Sequence, residues 1–205
     1  MEGNKRRIVS TLCILLAVSL LSVTASFGAE SITVLGGSVK SDSGGNQGIP
    51  TIELPMPVSE QGKSYLGLSG TGNFKIGQIK SQVLIIEIYS LYCPHCQRAA
   101  SRVNELLRLI QERPDIKEKI KIIGIGVNNS MYEVESYRER YKVPFPLFPD
   151  LTMEVSQKFN VRGTPTFIGL KVNGKGMLEK FYFAEGGFQD AQQFLMEIIQ
   201  LSGLK

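Results

Sequence analysis

Metal ligands are scarce in this sequence, which has one histidine (His95) and three cysteines. A structural zinc site uses about four Cys, His or acidic ligands, and here only Cys93, Cys96 and His95 lie together, with no second cysteine pair. A haem attachment site needs a histidine directly after the second cysteine, but Gln97 follows Cys96. We therefore expect neither a zinc site nor a haem site, and no metal or organic cofactor is required.

The sequence also lacks a strong excess of charge. Its net charge is +4 over 205 residues, and no run of basic residues occurs beyond residue 7. Nucleic-acid binders need such basic clusters to neutralise phosphates, so nucleic acid is not an expected partner. No internal repeat is visible, and the length suits one domain with extensions.

The first 29 residues have the layout of a secretory signal peptide. Three basic residues (5–7) precede a mostly apolar region (Ile8–Val23), and small residues lead to a cleavage site near Ala29. An uncleaved N-terminal anchor is the alternative, although the apolar region is short against the roughly 20 residues that span a bilayer. We expect export to the periplasm or to another extracytoplasmic compartment.

Export would leave a chain with one cysteine pair in a compartment where disulfides can form. Cys13 lies within the apolar region and would be removed with the signal peptide. Residues 30–48 include a stretch rich in Gly, Ser and other polar residues, which predicts a flexible linker. Residues 49–205 then form the folded domain.

Strand and helix patterns alternate from residue 49 onward, which predicts an α/β fold. Gln82–Tyr89 and Ile120–Val127 are nearly continuous apolar runs, typical of strands that are buried on both faces. Apolar residues after Cys93 recur at helical spacing. The later predicted elements are a helix (Met131–Tyr141), an extended segment (143–150), a short helix (Thr152–Phe159), a β-hairpin at Asn173-Gly174 (Thr166–Val172 with Met177–Phe183) and a closing helix (Asp190–Leu201). This order predicts a three-layer α/β/α sandwich with a mixed central sheet.

Cys93 and Cys96 stand at the start of the helix that follows the first buried strand. Pro94 favours the first turn of a helix, so Cys93 falls at the N-cap, where unpaired N–H groups and the helix dipole stabilise a thiolate. Cys96 shares the apolar stripe of this helix and should point inward. An activated outer thiol beside a shielded inner thiol suits two-step dithiol exchange. A structural disulfide that closes so short a loop would add little stability.

Glu87 lies in the middle of an apolar strand, six residues before Cys93. Burying a carboxylate is costly unless the group is paired or functional, and burial raises its pKa. A buried acid of this kind can accept and return the proton that Cys96 must lose. The alternatives are a salt-bridged structural acid and a strand register that turns Glu87 toward solvent.

The segment Val161–Phe167 completes a resemblance to the thioredoxin fold. A strand, a C-x-x-C pair at a helix start and a distal Gly-Thr-Pro-Thr before a strand resemble that family. Pro165 matches the cis-proline of the family. The resemblance implies a cis Thr164–Pro165 bond beside the cysteines and a Thr164 backbone that pairs with a substrate strand. A trans loop proline is the alternative.

Residues 49–205 are similar, more narrowly, to the exported TlpA/ResA and redoxin group of thioredoxin-like proteins. That group carries a helical insert between the second strand and the cis-proline segment, often with a phrase like "VPFPLFPD", and a buried glutamate at the position of Glu87. Peroxiredoxins share the scaffold but place Pro and Thr where Ile86 and Ser90 stand here. Peroxidase activity is therefore not expected.

The dipeptide Pro94-His95 resembles instead the one found in DsbA-like oxidants. A histidine at this position can donate to the Cys93 thiolate, lower its pKa and make the disulfide more oxidising. DsbA-like proteins, however, carry a long helical insertion for which this chain has no space. The motif thus favours an oxidant, whereas the scaffold favours a reductant.

Together the resemblances imply an exported thiol:disulfide oxidoreductase that is a reductant rather than an oxidant. The implied roles are nucleophile (Cys93), resolving thiol (Cys96), proton carrier (Glu87), pKa tuning (Pro94 and His95) and substrate platform (Thr164 and Pro165). Protein thiol or disulfide clients and a membrane-embedded redox partner are expected, with a monomeric chain. The alternatives are a DsbA-like oxidant, a copper metallochaperone that uses the cysteine pair, and a non-catalytic interaction module.

Overall fold

A computed structural model describes residues 49–204 of the chain. The expected signal peptide (residues 1–29, with Cys13) and linker (residues 30–48) lie outside the described residues and stay predictions. Within residues 49–204, the structure contains no helix that is both long enough and apolar enough to cross a membrane.

The described part of the chain contains seven strands and five α-helices. The strands are β1 (Glu53–Pro55), β2 (Asn73–Lys75), β3 (Val83–Tyr89), β4 (Ile120–Val127), β5 (Leu147–Asp150), β6 (Thr166–Val172) and β7 (Leu178–Glu185). The helices are α1 (Glu60–Leu66), α2 (Pro94–Gln111), α3 (Met131–Tyr141), α4 (Glu154–Lys158) and α5 (Ala191–Ser202).

Five of the strands form a mixed sheet in the order β5-β4-β3-β6-β7. Strands β3, β4 and β5 are parallel to one another, whereas β6 is antiparallel to both β3 and β7. One face of the sheet packs against α2, α3 and α5, and the other packs against α1, α4 and the antiparallel pair of β1 and β2. The predicted three-layer sandwich with a mixed sheet is therefore confirmed.

The central strand β3 is buried along its whole length. Its side chains alternate between the two faces, so that Val83, Ile85 and Tyr89 join the core under α2 while Leu84, Ile86 and Ile88 join the core of the opposite face. Burial on both faces explains why the sequence of this strand is a continuous apolar run rather than an alternating one. The same alternation places Glu87 on the α2 face.

Several element boundaries differ from the sequence prediction. The extended segment 143–150 contains β5, an edge strand in which Pro149 is tolerated. The short helix begins at Glu154 rather than at residue 152, because Met153 at its N-cap adopts a left-handed conformation with a φ of 60°. Strands β1 and β2 and helix α1 were not predicted, since three-residue strands are too short to show a periodic pattern.

The hairpin predicted at Asn173-Gly174 is present, with β6 and β7 paired as antiparallel strands. The Asn173 side-chain oxygen accepts hydrogen bonds from the N–H groups of Lys175 and Met177, at 3.0 and 2.9 Å. The left-handed residue is Gly176, with a φ of 74°, instead of Gly174. Asparagine therefore organises a five-residue loop here through its side chain, residues 173–177.

Candidate redox site

The candidate site begins where β3 ends and α2 starts. Cys93 is the N-cap of α2 in an extended conformation, with φ −87° and ψ 112°, and Pro94 occupies the first turn. The Cys96 backbone N–H donates to the Cys93 Sγ at 3.4 Å. The backbone of the helix start thus presents a donor to this sulfur, as its N-cap position requires.

The Cys93 thiol is the more acidic of the pair. Partial burial opposes its ionisation, but hydrogen bonds from the Thr164 side chain, from Cys96 and from the His95 backbone outweigh burial and lower the pKa of Cys93. In its protonated form the Cys93 Sγ can donate to the Thr164 carbonyl oxygen, 3.2 Å away. Cys93 is therefore partly accessible and poised to ionise, as a nucleophilic thiol requires.

Cys96 has the opposite properties. It is fully buried within the α2 face of the core. Burial is the main cause that raises the pKa of Cys96, a backbone hydrogen bond at Ser90 opposes it in part, and the neighbouring Cys93 thiol raises it further. The two cysteines are not bonded to each other in the structure. Cys96 must lose a proton before it can attack, and a nearby base would be needed to take it.

Glu87 is buried on the same face of the sheet as Cys96, with an exposed fraction of 1%. Desolvation alone raises the pKa of Glu87 from 4.5 to about 8. Its Oε1 has no hydrogen-bond partner among the described residues. The alternative of a salt-bridged acid is contradicted by the lack of a partner for Oε1. The alternative of a solvent-facing acid is contradicted by the burial of the side chain. An unpaired buried carboxyl needs another explanation, and a proton-carrying role supplies one.

Two tyrosines adjoin Glu87 and Cys96. The rings of Tyr89 and Tyr137 lie 4.3 Å apart, and the Tyr137 hydroxyl donates to the Cys96 carbonyl oxygen at 3.1 Å. The charges of Glu87 and Cys96 act on both tyrosines and, after burial, help to raise their pKa. Tyr137 thus anchors the first turn of α2 to α3, a contact that sequence reasoning missed because 41 residues separate the partners.

The Thr164–Pro165 segment lies beside Cys93, as the Thr164 contacts show. The sequence left the isomer of the Thr164–Pro165 bond open, and in the structure this bond is cis. The Pro165 carbonyl accepts from the Gly186 N–H at 2.7 Å, and the Thr166 hydroxyl donates to the Gly163 carbonyl at 2.7 Å. These bonds hold the segment at the start of β6, on the side of β3 opposite to β4.

His95 meets the site mainly through its backbone. The His95 N–H contributes to the lowered pKa of Cys93, whereas the ring Nδ1 lies 3.0 Å from the Arg98 guanidinium. Because an arginine can only donate, Nδ1 is the acceptor in this contact. The sequence suggested that the His95 side chain donates to Cys93. In the structure this side chain contacts Arg98, a partner that sequence reasoning did not identify.

The peptide at Leu91, two residues before Cys93, is held on both sides by amide side chains. The buried Asn129 accepts from the Leu91 N–H at 2.8 Å, and the Gln97 side chain donates to the Leu91 carbonyl at 2.8 Å. The neighbouring Ser130 is the N-cap of α3. Asn129 and Gln97 therefore fix the loop from which Cys93 emerges.

Loss of the Asn129 side chain should impair the chemistry of Cys93 as well as stability. We expect Asn129→Ala to lower the free energy of unfolding by about 1–2 kcal/mol, because it leaves the Leu91 N–H unpaired. We also expect the exchange rate of Cys93 to fall roughly tenfold or more, because the thiol is no longer held in place. Denaturant unfolding measures the loss of stability, and stopped-flow exchange measures the loss of rate.

Asn104→Ala is the matched control for this experiment. The Asn104 side chain donates to the Tyr141 carbonyl at 2.9 Å and so links two elements in the same manner, away from the cysteines. It should lose comparable stability and keep the exchange rate. Equal exchange rates in the two variants would mean that Asn129 is only structural.

Among residues 49–204, no group of three or more His, Cys, Asp or Glu side chains is placed to hold a metal ion.

Comparison with known proteins relates the chain to thiol-disulfide chemistry. "Thiol-disulfide oxidoreductase ResA" of Geobacillus thermodenitrificans is 22% identical over 178 residues, covering 85% of this chain and 87% of that protein. The protein of the same name from Halalkalibacterium halodurans is 23% identical over 128 residues, covering 62% of this chain and 68% of that protein.

Solved structures share the fold. A putative thiol:disulfide interchange protein DsbE from Chlorobium tepidum matches with a TM-score of 0.56 and 15% identity, covering 76% of this chain and 96% of that one. A secreted disulfide oxidoreductase of Mycobacterium tuberculosis matches with a TM-score of 0.51 and 13% identity, covering 63% of this chain and 90% of that one. The thioredoxin-like fold is thereby shown.

The model of the AhpC/TSA family matches residues 45–182, more than half of the sequence, and the chain belongs to that family.

Proposed function

We propose that the protein is an extracytoplasmic thiol-disulfide oxidoreductase that reduces disulfides of client proteins through Cys93 and Cys96. The observation that carries this proposal is the asymmetry of the pair at one helix start. Cys93 is partly accessible with a lowered pKa, and Cys96 is buried with a raised one. The ResA relatives, whose names state thiol-disulfide oxidoreductase activity, support the same chemistry.

The reaction starts from the dithiol form. The Cys93 thiolate attacks one sulfur of a client disulfide, the client S–S bond breaks, and a mixed disulfide forms while the second client sulfur leaves as a thiolate that takes up a proton. The Cys96 thiolate then attacks the Cys93 Sγ and releases the first client sulfur. The client gains two electrons and two protons, and the protein is left with a Cys93–Cys96 disulfide.

Glu87 carries the proton in the second step. Cys96 resists ionisation because it is buried, so its attack requires a base that is also in the interior. The pKa of Glu87, raised to about 8 by burial, lies close enough to neutral pH for the carboxyl group to accept a proton and give it back. No organic cofactor takes part in this scheme.

The direction toward reduction is supported by the surroundings of His95. An oxidant of this fold depends on strong stabilisation of the outer thiolate, which makes its disulfide a better electron acceptor. Here the His95 ring nitrogen lies against Arg98, and the lowered pKa of Cys93 is explained by Thr164 and backbone groups. Regeneration of the dithiol then needs an electron donor, for which a membrane-embedded dithiol partner is the candidate.

The proposed extracytoplasmic location is supported by the sequence of residues 1–29, which has the layout of an export signal. One structural relative is described as secreted, which agrees with such a location. Fractionation of cells that express the full chain tests it. Export predicts a protein outside the cytoplasm and shorter by about the first 29 residues.

A single-turnover reaction tests the chemistry. The purified reduced chain is mixed with a peptide that contains one disulfide, and the thiols of both are counted by alkylation and mass spectrometry. We expect one peptide disulfide to be reduced for each Cys93–Cys96 disulfide formed. A peptide that stays oxidised after prolonged incubation would contradict the proposed activity.

A further inference from the structure

One arginine on α2 has no partner for its charge within residues 49–204. Arg102 is half-buried, and its Nε is buried without a hydrogen-bond partner. None of the ion pairs in this part of the chain includes Arg102, whereas Arg108 on the same helix pairs with Glu105 and Glu112. Buried polar groups are nearly always hydrogen-bonded, so an unpartnered guanidinium nitrogen needs an explanation. A bound group that accepts hydrogen bonds from this side chain would supply one.

The guanidinium of Arg102 lies close to the segment that contacts Cys93. Three atoms surround the position that a Cβ on Gly187 would occupy, namely the Ala99 Cβ at 3.7 Å, the Arg102 Nη2 at 3.8 Å and the Pro165 Cγ at 3.9 Å. Two atoms that are this close to one point are also close to each other, so the guanidinium is a near neighbour of the proline ring. The preceding residue, Thr164, has its carbonyl oxygen 3.2 Å from the Cys93 Sγ.

A glycine loop leaves space beside Arg102. Gly186 and Gly187 are exposed and lie between β7 and α5. The Gly186 N–H donates to the Pro165 carbonyl at 2.7 Å, which fastens the loop to the cis-proline segment. A Cβ on Gly187 would make only ordinary van der Waals contacts, so the loop does not fill the space next to the guanidinium. We call this space the arginine gap, and it is bounded by Ala99, Arg102, Pro165 and Gly187.

The acidic residues on either side of the glycine loop are engaged elsewhere. The nearest acids in sequence to Gly187 are Glu185 and Asp190. The Glu185 carboxylate accepts from the Arg162 backbone N–H at 3.2 Å. The Asp190 carboxylate, at the N-cap of α5, accepts from an N–H of that helix at 2.7 Å. Neither pairs with Arg102, so its positive charge is available to a bound partner.

We propose that Arg102 binds a carboxylate of the client protein, on an acidic residue close in sequence to the reactive cysteine. This inference rests on the proposed function, because it concerns the same client. Arginine binds carboxylates through paired N–H donors, and such charge-assisted hydrogen bonds are stronger than neutral ones. The client cysteine meets Cys93, which contacts Thr164, and the arginine gap adjoins Pro165. At about 3.3 Å per extended residue, an acid about three to five residues from the client cysteine reaches the gap.

Arg102 is a specificity-determining residue in this scheme, and it takes no part in the exchange between sulfur atoms. Its contact with the client is the same before and during the reaction, so it lowers KM and leaves kcat unchanged. Because the guanidinium is half-buried, water and salt screen the pair less than they screen two exposed charges. A neutral client segment lacks this contact and binds more weakly.

Three peptide dimers, each joined through the disulfide of a single cysteine, test this inference. The first has Glu four residues before the cysteine, the second has Glu four residues after it, and the third has Gln at both positions. We expect the reduced wild-type chain to act on one of the two Glu peptides with a KM about fivefold lower than on the Gln peptide, at equal kcat. In Arg102→Gln, this ratio of KM values should fall close to one.

Variants at a second position give an independent result. Gly187→Asp places a carboxylate of the protein itself beside Arg102, and should also bring the ratio close to one. Gly187→Ala adds the same Cβ without a charge and should keep the preference. Arg108→Gln is the control for net charge, because it removes an exposed positive charge from the same helix, and it should keep the wild-type ratio.

Each outcome has a distinct meaning. A wild-type ratio near one with both Glu peptides, or an Arg102→Gln or Gly187→Asp variant that keeps the wild-type ratio, would overturn the inference and leave the oxidoreductase activity standing. An equal loss in Arg108→Gln would assign the preference to net charge and would also overturn it. Failure to reduce any of the three peptides would instead overturn the proposed function.

Discussion

Cys93→Ser should abolish disulfide exchange, whereas Cys96→Ser should accumulate mixed disulfides with client proteins. The first variant removes the thiol whose pKa is lowered at the helix start, and serine cannot form a disulfide. The second keeps that thiol but removes the buried group that releases the client. We expect exchange to fall at least about 1,000-fold in Cys93→Ser, because removal of a nucleophile leaves little catalysis.

Non-reducing gel electrophoresis followed by mass spectrometry measures the second effect. The Cys96→Ser variant should migrate as adducts that dissociate on addition of a reductant, and each adduct should contain Cys93. The double variant Cys93→Ser, Cys96→Ser is the control and should form none. Full exchange activity in either single variant would be incompatible with the two-step scheme.

Glu87→Gln should make the protein more stable at alkaline pH and slower in catalysis. Burial raises the pKa of Glu87 from 4.5 to about 8, so between these values the folded state retains a proton that the unfolded state releases. The unfolded state therefore binds fewer protons, and the free energy of unfolding decreases as pH rises, by about 1.4 kcal/mol per pH unit. Glutamine cannot ionise, so the free energy of unfolding of the variant does not decrease with pH for this reason.

Denaturation at pH 5, 6.5 and 8 reveals the difference between the two proteins. The advantage of Glu87→Gln over wild type should be small at pH 5 and should reach several kcal/mol at pH 8. Glu179→Gln, at an exposed position on β7, should follow the wild-type curve. A Glu87→Gln variant with the wild-type dependence on pH would mean that Glu87 ionises as freely as a surface acid.

The catalytic effect of the same variant separates a functional carboxyl from a structural one. Resolution of the mixed disulfide should slow by about 100-fold, since Cys96 loses its base. The first step, attack by Cys93 on the client, should change far less. Rapid-quench kinetics with alkylation of the intermediate distinguishes the two steps. An unchanged resolution rate, together with altered stability, would mean that burial of Glu87 affects the stability of the protein and that its carboxyl group takes no part in catalysis.

The redox motif and the sandwich could be predicted because their signals are local. Cys93, Pro94 and the helical spacing of apolar residues after them specify an N-cap and an inward-facing Cys96 within a few residues. The burial of Glu87 follows from the unbroken apolar run around it. These patterns arise from steric and hydrophobic preferences that act over one strand or one helix turn.

The contacts that position the site could not be predicted, because they join residues distant in sequence. Asn129 is 38 residues from Leu91, and Tyr137 is 41 residues from Cys96. Neither a polar residue before a helix nor a tyrosine within one indicates its partner. His95 shows the same limit at short range, because the sequence suggests a donor to Cys93 and does not reveal that Arg98 engages the ring.

The reduction potential of the Cys93–Cys96 pair, measured by equilibration of the purified protein with glutathione, tests the central claim most directly. The reference values run from about −270 mV for thioredoxin to about −120 mV for DsbA, a difference of roughly 7 kcal/mol for two electrons. We predict a value near the thioredoxin end, which would make the protein a reductant of its clients. A value near the DsbA end would contradict this account and identify a protein that installs disulfides.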